Sequence, residues 1–138
     1  MRGLPGSGKT TLARTLSEHV FSTDDFFMKT DGHYDFDGGR LREAHRWNIG
    51  RVEQALSDGL DPIVVDNTNI HASDLIPYVV AALANDYSVV LVEPDTAWKE
   101  EVDTLFEKNH HDVPRDTLER CLREYEHNIT LDDIITSR

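Results

Sequence analysis

"MRGLPGSGKTTLAR" (residues 1–14) decides how the rest of this chain is read. Gly3 to Thr10 match the pattern G-x-x-x-x-G-K-[ST]. Glycines let consecutive backbone N–H groups point inward at a phosphate, where a Cβ would obstruct them. Lys9 adds a mobile cation for the β- and γ-phosphates, and the Thr10 hydroxyl is of the type that ligates magnesium. A helix beginning at Lys9 presents its positive dipole end to the same anion. Gly3, Pro5, Gly6, Ser7, Gly8, Lys9, Thr10 and Thr11 are therefore the candidate nucleotide-binding residues, with ATP and Mg2+ as the implied ligands. The bland alternative is a glycine-rich turn that merely caps a helix.

Such a cradle ordinarily follows a strand in the middle of a sheet, and here only Met1-Arg2 precede it. Two explanations stand. Either the protein begins upstream and Met1 is an internal or trimmed start, or most of the first strand is missing and nucleotide binding is weakened. The first is preferred, because interrupting a central strand leaves unpaired backbone on both sides.

Composition narrows the classes. The 138 residues suit one domain, residues 1–138, with its own core. No apolar run approaches the roughly 20 residues that span a bilayer, so no membrane contact is expected. Cys121 is the only cysteine, and no apolar leader occupies residues 1–20. Cytoplasm is the expected compartment, with the nucleus as alternative, and a monomer is the expected state. Acidic residues outnumber basic ones 26 to 14, for a net charge of −12. A polynucleotide ligand would then be held at its end rather than along a basic groove.

Strand and helix signals alternate along the chain. A helix is expected from Lys9 to about Glu18, then a short strand at "HVFSTDD" (19–25) with a polar end. Residues 28–39, dense in Gly and Asp, read as a loop or insertion. Leu41, Ala44, Asn48, Val52 and Ala55 recur at helical spacing between Arg40 and Leu56. "PIVVD" (62–66) and "YSVVLVE" (87–93) read as buried strands of a parallel sheet, separated by a helix over 72–85 that contains Pro77. Further helices are expected around 96–107 and 115–126. The fold class is α/β with a parallel sheet.

Two acidic positions complete the chemistry. Asp66 ends the run "PIVVD", where an α/β sheet delivers a carboxylate to the ligand crevice, and is the second candidate metal residue beside Thr10. A turn made by "DNTN" is the alternative. Asp24 and Asp25 end the preceding strand in the same crevice. Phosphoryl transfer to a hydroxyl needs a carboxylate to take its proton. Asp24 is the candidate base, and Asp25 a helix cap or an outer magnesium partner on the acceptor side.

Taken in order, "RGLPGSGKTTLAR", "STDDFF", "AHRWN", "PIVVDNTN", "PYVVAAL", "EPDTAWK", "KNHHDVP" and "REYEHNIT" resemble the Nedd-binding-protein-2-like P-loop ATPases. These are part of the wider polynucleotide-kinase-like P-loop group. The resemblance covers essentially the whole chain. It implies a kinase-type P-loop NTPase fold, a three-layer parallel sheet with helices on both faces, its first strand truncated, and a short helical lid over about 100–115. It also implies that Asp24 matches the general base of the phage-type 5′-hydroxyl kinases. Asn67 falls in the acceptor-side pocket, with Asn69 in the same turn, and the acceptor is a hydroxyl, such as an RNA or DNA end. ATP binding is implied more firmly than any acceptor.

Departures from that pattern fall in the lid. Phage-type kinases carry an arginine-rich lid, and the corresponding "FEKNHHDVPRD" offers Lys108 and Arg115 as its only cations. A lysine lacks the bidentate fork of arginine. Phe27 stands in place of an acceptor-side arginine. His110-His111 read as solvated or lid residues rather than as a metal pair. Cys121 reads as a small packing residue, and Trp47 and Trp98 as packing residues. Base stacking by Trp47, Tyr34 or Phe36 is the minority reading. Arg40, Arg42, Arg46 and Arg51 read as a solvated helix face, with an acceptor-phosphate patch as the alternative.

Overall fold

Two three-residue strands lie side by side in a computed structural model that describes residues 1–136. β1 (His19–Phe21) pairs in parallel with β2 (Ile63–Val65), with His19 opposite Ile63 and Phe21 opposite Val65. Beyond β2 the chain start continues the sheet. The Met1 amino group donates to Val65 O at 2.8 Å, and the Gly3 N–H donates to Thr68 O. On its other side the Arg2 N–H donates to Val92 O. The spatial order is thus β1, β2, Met1–Gly3, then the segment around Val92.

Six α-helices surround this small sheet among the described residues: α1 (Lys9–Leu16), α2 (Leu41–Ser57), α3 (Ala72–Ala84), α4 (Val102–Lys108), α5 (Arg115–Glu124) and α6 (Leu131–Thr136). The architecture is α/β with a parallel sheet, as composition and alternation indicated. α2 buries Ala44, Asn48, Val52 and Ala55 on the side its spacing marked, whereas Leu41, the first of that series, is exposed at the helix start. Val52 and Leu56 pack with Tyr78 of α3 against Phe21, Ile63 and Val65, so the strands are covered by these two helices. α3 runs through Pro77, which sits on its exposed side. A second cluster joins Leu105 of α4 and Leu118 of α5 to Leu4 inside the cradle, with Trp98 and Cys121 at its edge.

Two expectations need correction. "YSVVLVE" (87–93) forms no regular strand, and Val90 is 78% exposed. Its apolar residues do pack, Val89 and Leu91 lying against the Ala72–Leu75–Val79–Ile134 cluster. Its one backbone bond to the strand side is that from Arg2, so packing holds the run without a ladder. The helix expected around 96–107 is a turn followed by the shorter α4, whose N-terminal boundary is Val102. α6 was not anticipated. Six residues with a single fully buried Ile134 are too short for a periodic signal.

Candidate functional site

The cradle is built by close backbone approach. Gly6 takes a φ of +84°, and a Cβ there would lie 2.5 Å from Leu105 O. Only glycine accepts both the conformation and the contact. Thr96 Oγ1 donates to Ser7 O at 2.8 Å and Trp98 Nε1 donates to Gly6 O at 3.1 Å. The "EPDTAWK" segment therefore braces the loop from outside, a role that sequence reading assigned to neither residue. Ser7 is fully buried, and its hydroxyl has no partner among the described residues. Pro5, half-buried, and Thr11, exposed, complete the loop.

Lys9 follows the loop as the first residue of α1, and its Nζ lies 3.4 Å from Leu4 O. Burial pushes the Lys9 ammonium below its ordinary value, while Asp66 and Asp24 push it back up. Both carboxylate charges thus act on this one lysine. Thr10 Oγ1 donates to Asp66 Oδ2 at 2.8 Å. Asp66 is 4% exposed, and its Oδ1 is buried with no partner among the described residues. A hydroxyl beside a carboxylate oxygen that has no partner among the described residues is of the donor type magnesium takes in nucleotide sites, so the residues fit that ion. No group of three His, Cys, Asp or Glu able to hold a metal occurs among the described residues.

Asp24 and Asp25 sit on a single 3-10 turn (Thr23–Phe27) at the end of β1. Asp25 closes a capping box with Ser22 and accepts from Arg51 Nη2 at 2.9 Å. Asp24 instead faces the crevice. Tyr34 Oη donates to its Oδ1 at 3.2 Å, and His111 Nε2 lies 3.5 Å from its Oδ2. Burial, then the Asp24 charge and hydrogen bond, push the Tyr34 hydroxyl above its ordinary value. Neither Tyr34 nor His111 stood out for this role in the sequence. They lie 10 and 87 residues from Asp24, and only the fold joins them.

A polar network holds this turn in place. Asn67 Oδ1 accepts from the Thr23 N–H at 2.9 Å, while Asn67 Nδ2 donates to Tyr78 Oη at 3.3 Å. The fully buried Asn48 donates to the same hydroxyl at 3.1 Å, and Arg51 Nη2 donates to Asn48 Oδ1 at 2.7 Å. Asn67 therefore anchors the turn that carries Asp24. Asn69 is turned away from it: its Nδ2 donates to Met1 O and its carbonyl accepts from Arg2 Nε. Lys108 stands 4.5 Å above the Trp98 ring, one residue removed from the cradle. Arg115 pairs with Asp103 and covers the Phe106 ring, both on α4. Cys121 is half-buried, and burial raises its thiol, consistent with packing.

A family model described as AAA domain matches residues 1–127. Human NEDD4-binding protein 2 is 41% identical over 142 residues, covering 99% of this chain and 8% of that protein. Rat 2',3'-cyclic-nucleotide 3'-phosphodiesterase is 32% identical over 124 residues, covering 87% of this chain and 29% of the relative. The mouse protein of the same name is 33% identical over 126 residues. The chain spans less than a third of the length of each of these relatives.

Proposed function

The chain belongs to the AAA-domain family, a P-loop kinase-like family, and on that premise we propose that it is an ATP- and magnesium-binding phosphotransferase. In this reading it moves the γ-phosphate to a hydroxyl at a nucleotide or polynucleotide end. The observation that carries it is that the Asp24 charge acts on Lys9 of the cradle, where Thr10 and Asp66 also meet. The name of the rat relative concerns a nucleotide, which supports that acceptor class. The same reading includes a three-layer kinase-type fold, a lid over about 100–115, a monomeric state and a cytoplasmic or nuclear location. No helix among the described residues is long and apolar enough to cross a membrane.

Backbone N–H groups from Gly6 to Thr11 and Lys9 would hold the phosphates, and Thr10 and Asp66 would hold magnesium. When bound, the ion neutralises charge on the β- and γ-phosphate oxygens. Asp24 takes the proton of the acceptor hydroxyl as its oxygen bonds to the γ-phosphorus and ADP leaves. Lys108 and Arg115 contribute lid charge only after leaving Trp98 and Asp103.

That last point favours a second reading, an adaptor that binds ATP and transfers nothing. The net charge of −12 likewise favours a metabolite over a polynucleotide as acceptor. Incubation of γ-labelled ATP with 5′-hydroxyl RNA and DNA oligonucleotides tests the polynucleotide reading against the other two, with Lys9→Ala and Asp24→Asn as controls. Label that appears on the oligonucleotide and is lost in both controls is the expected result. ATP binding without transfer to oligonucleotides would remove the polynucleotide reading.

A further inference from the structure

The segment after α4 folds onto itself before it reaches α5. Asn109 Oδ1 accepts from the Val113 N–H at 2.8 Å, and Asn109 Nδ2 donates to Phe106 O at 2.9 Å. Asp112, at a φ of +53°, turns the chain between them. The tight loop presents one side chain to the crevice, that of His111. Its ring lies 4.2 Å from the Tyr34 ring, and its Nε2 lies 3.5 Å from Asp24 Oδ2. Tyr34 in turn donates to the other oxygen of the same carboxylate. Three segments remote in sequence, the Asp24 turn, the 28–39 loop and the 109–113 loop, therefore meet at one carboxylate.

We infer that Asp24, Tyr34 and His111 form a latch that fastens the 109–113 loop over the acceptor side, and that His111 is a positioning residue for the transfer. The inference rests on the phosphotransferase reading for its catalytic consequence, though not for the latch. His111 Nδ1 is buried with no partner among the described residues. A proton on Nδ1 would be an unpaired buried donor, so the neutral ring with its proton on Nε2, aimed at Asp24, fits best. At 3.5 Å the contact is longer than a normal hydrogen bond, and such contacts tighten once substrate closes a site. Each carboxylate oxygen keeps a second lone pair. Asp24 can therefore hold the latch and still accept the acceptor's proton. When it does, the carboxylate charge that attracts both latch donors is neutralised, and the loop loosens as product forms.

The groups facing His111 from other segments are Asp24 and Tyr34, and His110 and Asp112 flank it in its own loop. Two measurements test the latch. In the first, amide hydrogen exchange of residues 109–113, the Val113 N–H above all, is followed by NMR in the wild type, Asp24→Asn and His111→Ala. In the second, transfer kinetics are compared among the wild type, His111→Ala and His111→Gln, whose amide nitrogen reaches the place of Nε2. Faster exchange across 109–113 in both variants is expected. So are a kcat reduced about tenfold to a hundredfold in His111→Ala at unchanged KM for ATP, and recovery of most of that loss in His111→Gln. Unchanged exchange with wild-type kcat in His111→Ala would overturn the latch. If the wild type transfers nothing while exchange still rises in the variants, the latch stands and the phosphotransferase reading fails alone.

Discussion

Thr10 Oγ1 donates to Asp66 Oδ2 at 2.8 Å, which ties the first turn of α1 to the end of β2 and leaves Asp66 Oδ1 buried without a partner among the described residues. One oxygen of this carboxylate is held, and the other has its lone pairs unused. Asp66→Asn should lower ATP affinity in magnesium about tenfold while changing it little in EDTA, because only the metal-dependent part is lost. Calorimetric titration under both conditions checks this. An equal loss in both would assign Asp66 a purely structural role.

Gly6 and Gly32 share nearly the same backbone conformation, with φ of +84° and +86°, in opposite surroundings. A Cβ on Gly32 meets nothing within 4 Å, whereas on Gly6 it meets Leu105 O at 2.5 Å. Gly32→Ala should cost about 1 kcal/mol from conformation alone. Gly6→Ala adds a backbone collision and should cost clearly more, with ATP binding lost. Urea unfolding of the two variants gives the comparison.

Lys9 carries its charge at a penalty. Its ammonium is shifted down by burial, so between the lowered folded value and its ordinary value near 10.5 the unfolded chain binds more protons than the folded one. Stability contributed through Lys9 therefore rises with pH across that window, and the penalty is fully present below it. Lys9→Met should stabilise the ligand-free protein at neutral pH, and its advantage should shrink as pH approaches 10.5. The same substitution should weaken ATP binding by about 2–5 kcal/mol, roughly thirtyfold or more. Thermal unfolding against pH would refute this if the wild type were the more stable form at neutral pH.

Tyr78 Oη accepts from Asn48 and from Asn67, and Asn67 in turn holds the Thr23 N–H. Tyr78→Phe strands two amide donors, one of them on a fully buried residue. A cost of about 1–3 kcal/mol follows. Because the network ends on the turn bearing Asp24, faster hydrogen exchange at the Thr23 amide should accompany it. Unchanged exchange there would separate the network from the site.

Much of this was legible along the chain. The phosphate cradle is a local device, since glycine conformation, a following helix and a lysine at fixed offset all lie within eight residues. α2 announced its buried side because Ala44, Asn48, Val52 and Ala55 follow one helical period. The run at 87–93 misled, because continuous apolar character reports burial and not pairing. It packs against α3 and α6 without forming a ladder. Asp24 and Asp66 could be placed at strand ends from the runs that precede them. Their distinct surroundings could not.

The α/β class, the cradle and the two acidic strand ends are written along the chain, because each depends on neighbours a few residues away. Packing across the fold settled which carboxylate caps its own turn and which meets Tyr34 and His111. It also turned Asn69 toward Met1, paired Arg115 with Asp103, and brought His111 and Tyr34 to Asp24. Those outcomes depend on contacts between segments tens of residues apart, and such contacts are set by how helices pack on the sheet, which no local pattern encodes.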